Sequence, residues 1–180
     1  MARAASLPLC FAFTATVRGR GARPVDRIAT GADLVRWLAA VNLLTTSAAA
    51  DEGLLTSAHE LREVVYRAGL AIAAGGLPAA QDEALLNGWA ARGGATRVLE
   101  HGRASWRFPA EEPVPAALAL IAADAIDTLG SGQAIRTCAD PGCRALFADA
   151  SRPGSRRWCS MSTCGNRAKK AQRREKSSVA

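Results

Sequence analysis

The chain is poor in aromatic residues. They make up 5% of 180 residues, with one Tyr, which argues against a large β-sandwich or barrel, whose pleated surfaces favour such side chains. Histidine is scarcer still. His59 and His101 stand at unrelated places, so each reads as a solvated or locally bonded side chain rather than a ligand or base. There is no internal repeat, no glycine pattern of the phosphate-cradling kind, and no C-x-x-C redox motif. No apolar run approaches the roughly 20 residues that span a bilayer. Ser160 and Ser162 are better helix caps than nucleophiles, and Glu111-Glu112 precedes a helix, where acidic charge suits the dipole. These absences point away from an enzyme and from a membrane protein.

What the chain does have is apolar residues, 49% of the total, many of them alanine, which favours helix. The length suits one ordinary domain plus a small module. Near the start, LPLCFAFTATV follows Arg3 and loosely resembles a signal peptide. RGRGAR follows at once, however, without a convincing small-x-small cleavage site. The stretch is therefore expected to be a buried strand, with Cys10 a small buried hydrophobe.

Helical signals come next. Thr30 and Asp33 form a capping pair ahead of Leu34, Trp37, Leu38 and Val41. Leu54, Ala58, Leu61, Val65 and Ala68 make a second apolar stripe, which leaves His59 toward its exposed side. Pro78 is expected to start a third helix, with Leu85, Leu86 and Trp89 inside. ATRVLEHGRASWRF reads as a hairpin turning at His101-Gly102, with Ala104, Trp106 and Phe108 on its apolar face. Pro113 to Leu129 is a long apolar helix, and GSGQ then marks a boundary.

The charge is placed unevenly. Residues 135–176 hold 11 Lys/Arg and 3 Asp/Glu, a balance of +8, whereas residues 1–134 hold 12 and 13, a balance of −1. The basic quarter implies a polyanionic partner, or else a solvated tail that aids solubility. The cysteines share the asymmetry. Cys138, Cys143, Cys159 and Cys164 are spaced C-x4-C, fifteen residues, C-x4-C. Two close pairs at that separation suit a structural zinc site, four thiolates closing a tetrahedron with no open position for catalysis. Two disulfides would require an oxidising compartment. A polar segment of this size also cannot bury enough surface to fold alone, and a metal supplies the missing stability.

Within this segment TCADPGC reads as a tight knuckle. Leu146-Phe147 and Arg156-Arg157-Trp158 read as the arms of a hairpin turning at Arg152–Ser155. A helix capped by Ser160 or Ser162 then carries the last ligand. Knuckle, hairpin and helix in that order make a treble-clef finger. On a helical wheel Cys164, Ala168 and Ala171 share the face expected against the metal. Arg167, Lys170 and Arg174 fall on one flank, Lys169, Arg173 and Lys176 on the other, and Asn166 lies between. Gly165 beside the ligand suggests close backbone approach near the metal. Trp158 is open to two uses, packing on the hairpin or touching nucleic acid.

The stretch RTCADPGCRALFADASRPGSRRWCSMSTCGNRAKKAQRRE resembles the CGNR zinc finger of bacterial transcription regulators, with Cys164-Gly165-Asn166-Arg167 as the naming tetrapeptide. Residues 7–134 are similar in layout to that finger's usual partner, the ABATE domain, described as a stress-induced transcription regulator domain. Such domains often read DFVNT near the first strand; here AFTAT puts Ala12 and Ala15 at the Asp and Asn positions. The expected protein is mainly α with small β-hairpins (α+β). Residues 1–134 form a helical regulatory domain and residues 135–180 the finger. The resemblance implies a cytoplasmic, zinc-dependent regulator that binds duplex DNA, with a small-molecule effector or homodimerisation assigned to the N-terminal part. Arg156, Arg157, Arg167, Lys169, Lys170, Arg173 and Arg174 are the phosphate candidates, and Asn166 or Arg167 the base readers. The alternative is a zinc-stapled module for RNA or a protein partner; RNA readers need exposed aromatics, and only Trp158 is available.

Overall fold

The computed structural model describes residues 7–44, 48–151 and 154–178, with side chains described as far as Arg174. It is mainly helical with three small antiparallel strand pairs. The long apolar helix α5 (Pro113–Gly130) runs through the core, burying Val114, Ala117, Leu118, Ile121, Ala122 and Ala125. By length and composition (18 residues, mean hydropathy 1.3) it is the one membrane-span candidate among the described residues. The expectation of no such run is corrected to that extent, although here α5 packs as a core helix.

The first element is also corrected. Leu9–Thr14 is a short helix, α1, not a strand. Periodicity alone cannot separate a short buried strand from a buried helix. Backbone satisfaction decides here: the Cys10 N–H donates to the Asp124 carboxylate of α5 at 2.8 Å. The Thr14 and Thr16 hydroxyls donate to the Phe11 and Phe13 carbonyls at 3.0 and 2.7 Å. Cys10, Phe11 and Phe13 are buried. Ala12 lies inside α1 and Ala15 at its end, so neither position offers a polar side chain.

Helix α2 (Gly31–Ala40) starts at the expected capping box. The Thr30 hydroxyl accepts the Asp33 N–H, and the Asp33 carboxylate accepts the Thr30 N–H at 2.9 Å. Leu34 and Leu38 are buried, and Trp37 packs on Phe13 with ring centroids 5.1 Å apart. Helix α3 (Glu52–Ala73), capped by Asp51, buries the expected Ala58, Leu61, Val65 and Ala68. Helix α4 (Ala80–Arg92) begins two residues after Pro78 rather than at it, with Leu86 and Trp89 buried. Strands β3 (Thr96–Glu100) and β4 (Arg103–Arg107), labelled by their place in the chain, pair around His101-Gly102. Both turn residues have positive φ, +50° and +74°, the requirement of a tight primed turn. Trp106 and Phe108 pack against the core as expected, whereas Ala104 is exposed.

A short hairpin precedes α2: β1 (Val17–Arg18) pairs with β2 (Val25–Asp26). It is clamped to α3 by ions. Arg62, 3% exposed, donates to both Asp26 oxygens at 2.8 and 2.6 Å and to the Thr16 hydroxyl at 3.1 Å. Arg20 donates to both Glu63 oxygens at 2.7 and 2.9 Å and lies 4.0 Å over the Tyr66 ring. Burial pushes the Asp26 and Glu63 carboxyls up, but hydrogen bonds from Arg62 and Arg20 outweigh it and hold both below the ordinary range. His59 is half-buried rather than exposed, donating from Nε2 to the Ile28 carbonyl at 2.7 Å.

The C-terminal strands are β5 (Ile135–Thr137) and β6 (Leu146–Ala148), in register Ile135↔Ala148, Arg136↔Phe147, Thr137↔Leu146. The finger's hairpin therefore flanks the knuckle instead of following it. Arg156–Trp158 is not a strand; the Ala139 N–H reaches the Arg157 carbonyl at 2.9 Å. Of the turn expected at Arg152–Ser155, Arg152 and Pro153 lie outside the described residues. Ile135 and Leu146 belong to the same apolar core as the helices. The seat is made by an absent side chain: a Cβ on Gly69 of α3 would sit 2.4 Å from Leu146 Cδ1. Gly69→Val should thus overpack this junction and cost about 1–3 kcal/mol. In chemical denaturation the midpoint should fall for helix signal and zinc release together; a finger that loosens alone, or no change, would refute the shared core.

Candidate metal centre and nucleic-acid interface

The β5–β6 pair holds the knuckle. Its strand ends bring Cys138 and Cys143 into one loop, closed by the Cys138 N–H on the Ala145 carbonyl (2.8 Å) and the Cys143 N–H on the Asp140 carbonyl (2.9 Å). Arg144 next to the ligand has φ +55°, uncommon for a residue with a Cβ. The Tyr66 hydroxyl of α3 donates to the Arg144 carbonyl at 2.8 Å and holds that turn.

The second pair comes from the other side. Asp149, its side chain fully buried, organises the approach. It accepts from the Ser151 hydroxyl (2.6 Å), the Ser151 and Arg156 N–H groups (both 3.0 Å) and Arg136 Nε (3.0 Å). The Ser151 hydroxyl, with these other donors, holds its carboxyl below the ordinary range. Arg156 donates to the Trp158 carbonyl at 2.8 Å and to the Cys159 carbonyl, and lies over Phe147. Ser160, not Ser162, caps the next turn by accepting the Thr163 N–H. Met161–Gly165 is one π turn, closed by the Gly165 N–H on the Ser160 carbonyl at 3.0 Å, and Cys164 sits inside it.

The four sulfurs lie within 4.8 Å of one another, with Cys143–Cys159 at 3.7 Å and Cys159–Cys164 at 3.8 Å. A zinc ion 2.3 Å from four tetrahedral sulfurs requires edges of about 3.8 Å. A disulfide needs about 2.05 Å, and all four thiols are free. The residues fit one structural zinc, Cys138, Cys143, Cys159 and Cys164 supplying every position. Burial raises the Cys159 thiol to about 12, with repulsion from Cys143 and Cys138 adding to it, and burial with its neighbours' sulfurs pushes Cys164 higher still. Burial also raises Cys138, but backbone hydrogen bonds at Cys159 and Asp140 outweigh it and lower its pKa. Without a central cation the thiols resist ionising together.

Helix α6 (Asn166–Ser178) leaves the π turn directly. Ala168 is half-buried but Ala171 is exposed, against the wheel's expectation. The π turn is wider than an α turn and shifts the phase, and the helix projects past the finger after its first turn. Asn166, Arg167, Lys169, Lys170, Arg173 and Arg174 are exposed; Lys176 lies outside the described side chains. Arg167 Nη1 donates to the buried Asp140 carboxylate at 2.8 Å, and Asn166 Nδ2 to the Ser162 carbonyl at 3.1 Å. Arg157 is exposed over the half-buried Trp158 ring, 5.3 Å from its centroid. Trp158 itself packs beside Gly165, where a Cβ would come 3.3 Å from the indole and 2.9 Å from the Met161 thioether. Crowding by these two side chains therefore accounts for a glycine here.

Sequence reasoning treated Asp140 only as a turn former and missed Asp149 and Tyr66. The signal for the acids was their isolation: they are two of three acidic residues among eleven cations in the segment. Nothing local marks Tyr66, because its partner is distant in sequence.

A zinc-stapled finger seated on a helical domain is the class this geometry defines. Residues 7–132 match the model of the ABATE family, described as a putative stress-induced transcription regulator, and residues 134–177 match the CGNR zinc finger. The first match covers well over half of the chain, which belongs to the ABATE family. Both families are of regulator and zinc-finger type rather than enzymes. No curated protein matches the chain.

The reduced protein should hold one zinc per chain by metal analysis. Stripping it with a chelator should lower the melting temperature of the helical part as well, because Ile135 and Leu146 leave its core. Two independent transitions, the helical one unshifted, would contradict this. Asp140→Ala removes both the Gly142 N–H bond (3.0 Å) and the Arg167 tether. Each hydrogen bond to a charged group is worth about 1.5–3 kcal/mol, less at this partly exposed ion pair. Chelator competition should show zinc leaving at least about ten-fold more readily; unchanged retention would mean that Asp140 does not support the centre.

Proposed function

We propose that the chain is a DNA-binding transcription regulator. In this reading residues 135–180 contact duplex DNA, and residues 1–134 form the regulatory part. The observation that carries it is α6. Its first turn is anchored by Cys164, by the Ser160 cap and by Arg167 on Asp140, while Lys169, Lys170, Arg173 and Arg174 are exposed. Such a helix presents charge from a fixed origin, which suits a phosphate backbone. Lys169, Lys170, Arg173 and Arg174 are the phosphate ligands, with Arg157 beside them. Arg156 spends its hydrogen bonds inside the finger and contributes mainly by holding Cys159. Arg167 keeps donors beyond the one given to Asp140, and Asn166 keeps its amide oxygen, so these two are the candidate base readers.

A cavity of about 540 Å³ beside Leu43, Leu44, Trp106 and Phe108 suits a small, partly apolar effector. A cytoplasmic location follows from the regulator reading. The half-buried Trp158 is poorly placed to stack on bases, which favours duplex DNA over single-stranded RNA.

Duplex binding by the full, zinc-loaded chain should weaken steeply with salt. Replacing Lys169, Lys170, Arg173 and Arg174 by Ala should flatten the log–log slope by roughly 3 to 4 and weaken all sequences about equally. Replacing Arg167 should erase the preference between sites, at about 1–3 kcal/mol per lost base contact. A zinc-loaded chain without duplex affinity at low salt would overturn the proposal.

A further inference from the structure

The N-terminal part is acidic in sum, yet residues 17–27 contain Arg18, Arg20, Arg23 and Arg27 against a single acid, Asp26. The structure sorts these charges. Asp26 is neutralised by Arg62, and Arg20 by Glu63. Arg18, Arg23 and Arg27 are exposed, as is Arg144 on the knuckle. Among the described residues none of these four side chains makes a hydrogen bond or ion pair.

The hairpin that carries Arg18 and Arg23, with Arg27 just past its end, is pressed against the finger. The Ala22 N–H closes the turn on the Gly19 carbonyl at 2.9 Å, with Gly19 at φ +69°. Gly21 abuts the knuckle so closely that a Cβ there would lie 1.8 Å from the Pro141 carbonyl oxygen and 2.7 Å from Arg144 Cγ. Pro141 is followed by Gly142 and preceded by Asp140, whose carboxylate holds Arg167 of α6. The knuckle therefore touches two basic elements, the β1–β2 hairpin at Pro141 and the start of α6 through Asp140 and Arg167. Arg20, Tyr66 and Arg144 line a crevice of about 470 Å³ between hairpin and knuckle.

We propose that the β1–β2 hairpin, through Arg18, Arg23 and Arg27 together with Arg144, is a second phosphate-binding element that grips the same DNA duplex as α6. The proposal rests on the duplex-DNA reading above. All four cations are arginines, whose planar fork pairs with phosphate oxygens bidentately. Gly19 and Gly21 shape the hairpin tip without side-chain bulk. The ion clamp to α3 fixes the hairpin before binding, so little ordering entropy is lost on contact.

The test uses the full, zinc-loaded chain on a mixed-sequence duplex over a range of salt. Arg18→Ala/Arg23→Ala/Arg27→Ala changes only exposed side chains, and unchanged zinc content checks its fold. Its log–log salt slope should be about 2 to 3 shallower than that of the parent chain. Gly21→Ala keeps every charge but displaces the hairpin from Pro141; with zinc retained, it should also bind more weakly. A triple variant with parental affinity and slope, while the α6 variant weakens, would overturn the hairpin proposal and leave the finger reading intact. A parent chain without duplex affinity would remove both.

Discussion

Four thiols within 4.8 Å of one another are an arrangement that packing alone cannot hold in its ionised form. Two like charges about 4 Å apart repel by roughly 1 kcal/mol in water and about 4 kcal/mol at an effective dielectric constant of 20. Every pair in the cluster contributes, and burial adds to the cost. The raised Cys159 and Cys164 thiols express that conflict. A divalent cation at the centre turns repulsion into bonding. The knuckle, the Asp149 loop and the π turn are then tied at one point, and α6 acquires a fixed origin.

Around that point the polar residues fall into two populations. Asp140 and Asp149 are buried and collect donors. Arg136, Arg156 and Arg167 are spent partly or wholly on internal acceptors. The hydrogen bonds that Asp149 accepts favour its ionised form, and the carboxylate orders the loop around it. The basic charge of the segment is therefore not a uniform coat. Part of it builds the finger, and among the described residues Lys169, Lys170, Arg173 and Arg174 of α6 are turned outward.

The long periodic elements were legible in sequence: the Thr30–Asp33 cap, the α3 stripe, the His101-Gly102 turn and α5 all follow from local chemistry. So did the four ligands, since metal spacing is set by loop closure and not by distant contacts. The reading failed where long-range partners decide. The α1 stretch became helix because Asp124, more than a hundred residues away, takes its Cys10 N–H. The finger hairpin shifted because β5 was available as a partner for β6. The π turn at Met161–Gly165 left no periodic trace, and it moved Ala171 off the buried face. The seating of the finger on Gly69 and Tyr66 of α3 was equally invisible, being a contact between segments with no shared pattern.

That seating changes how charge along the chain should be weighed. Summed by sequence, residues 1–134 carry a small negative balance and the finger carries the positive one, which suggests a neutral sensor with a basic appendage. Summed by place, the division dissolves. Asp26 and Glu63 are paired with Arg62 and Arg20, and Arg18, Arg23, Arg27 and Arg144 beside the knuckle are exposed. Electrostatic attraction between exposed charges is screened over roughly 10 Å at 0.1 M salt. A polyanion therefore senses the cations nearest its surface and not a domain total. Because Gly21 lies against Pro141 and Leu146 against Gly69, the finger cannot be reoriented without disturbing either the hairpin or the helical core. The two basic elements are held in one geometry, the hairpin by its packing on the knuckle and the start of α6 by zinc ligation through Cys164 and the Arg167 bond to Asp140.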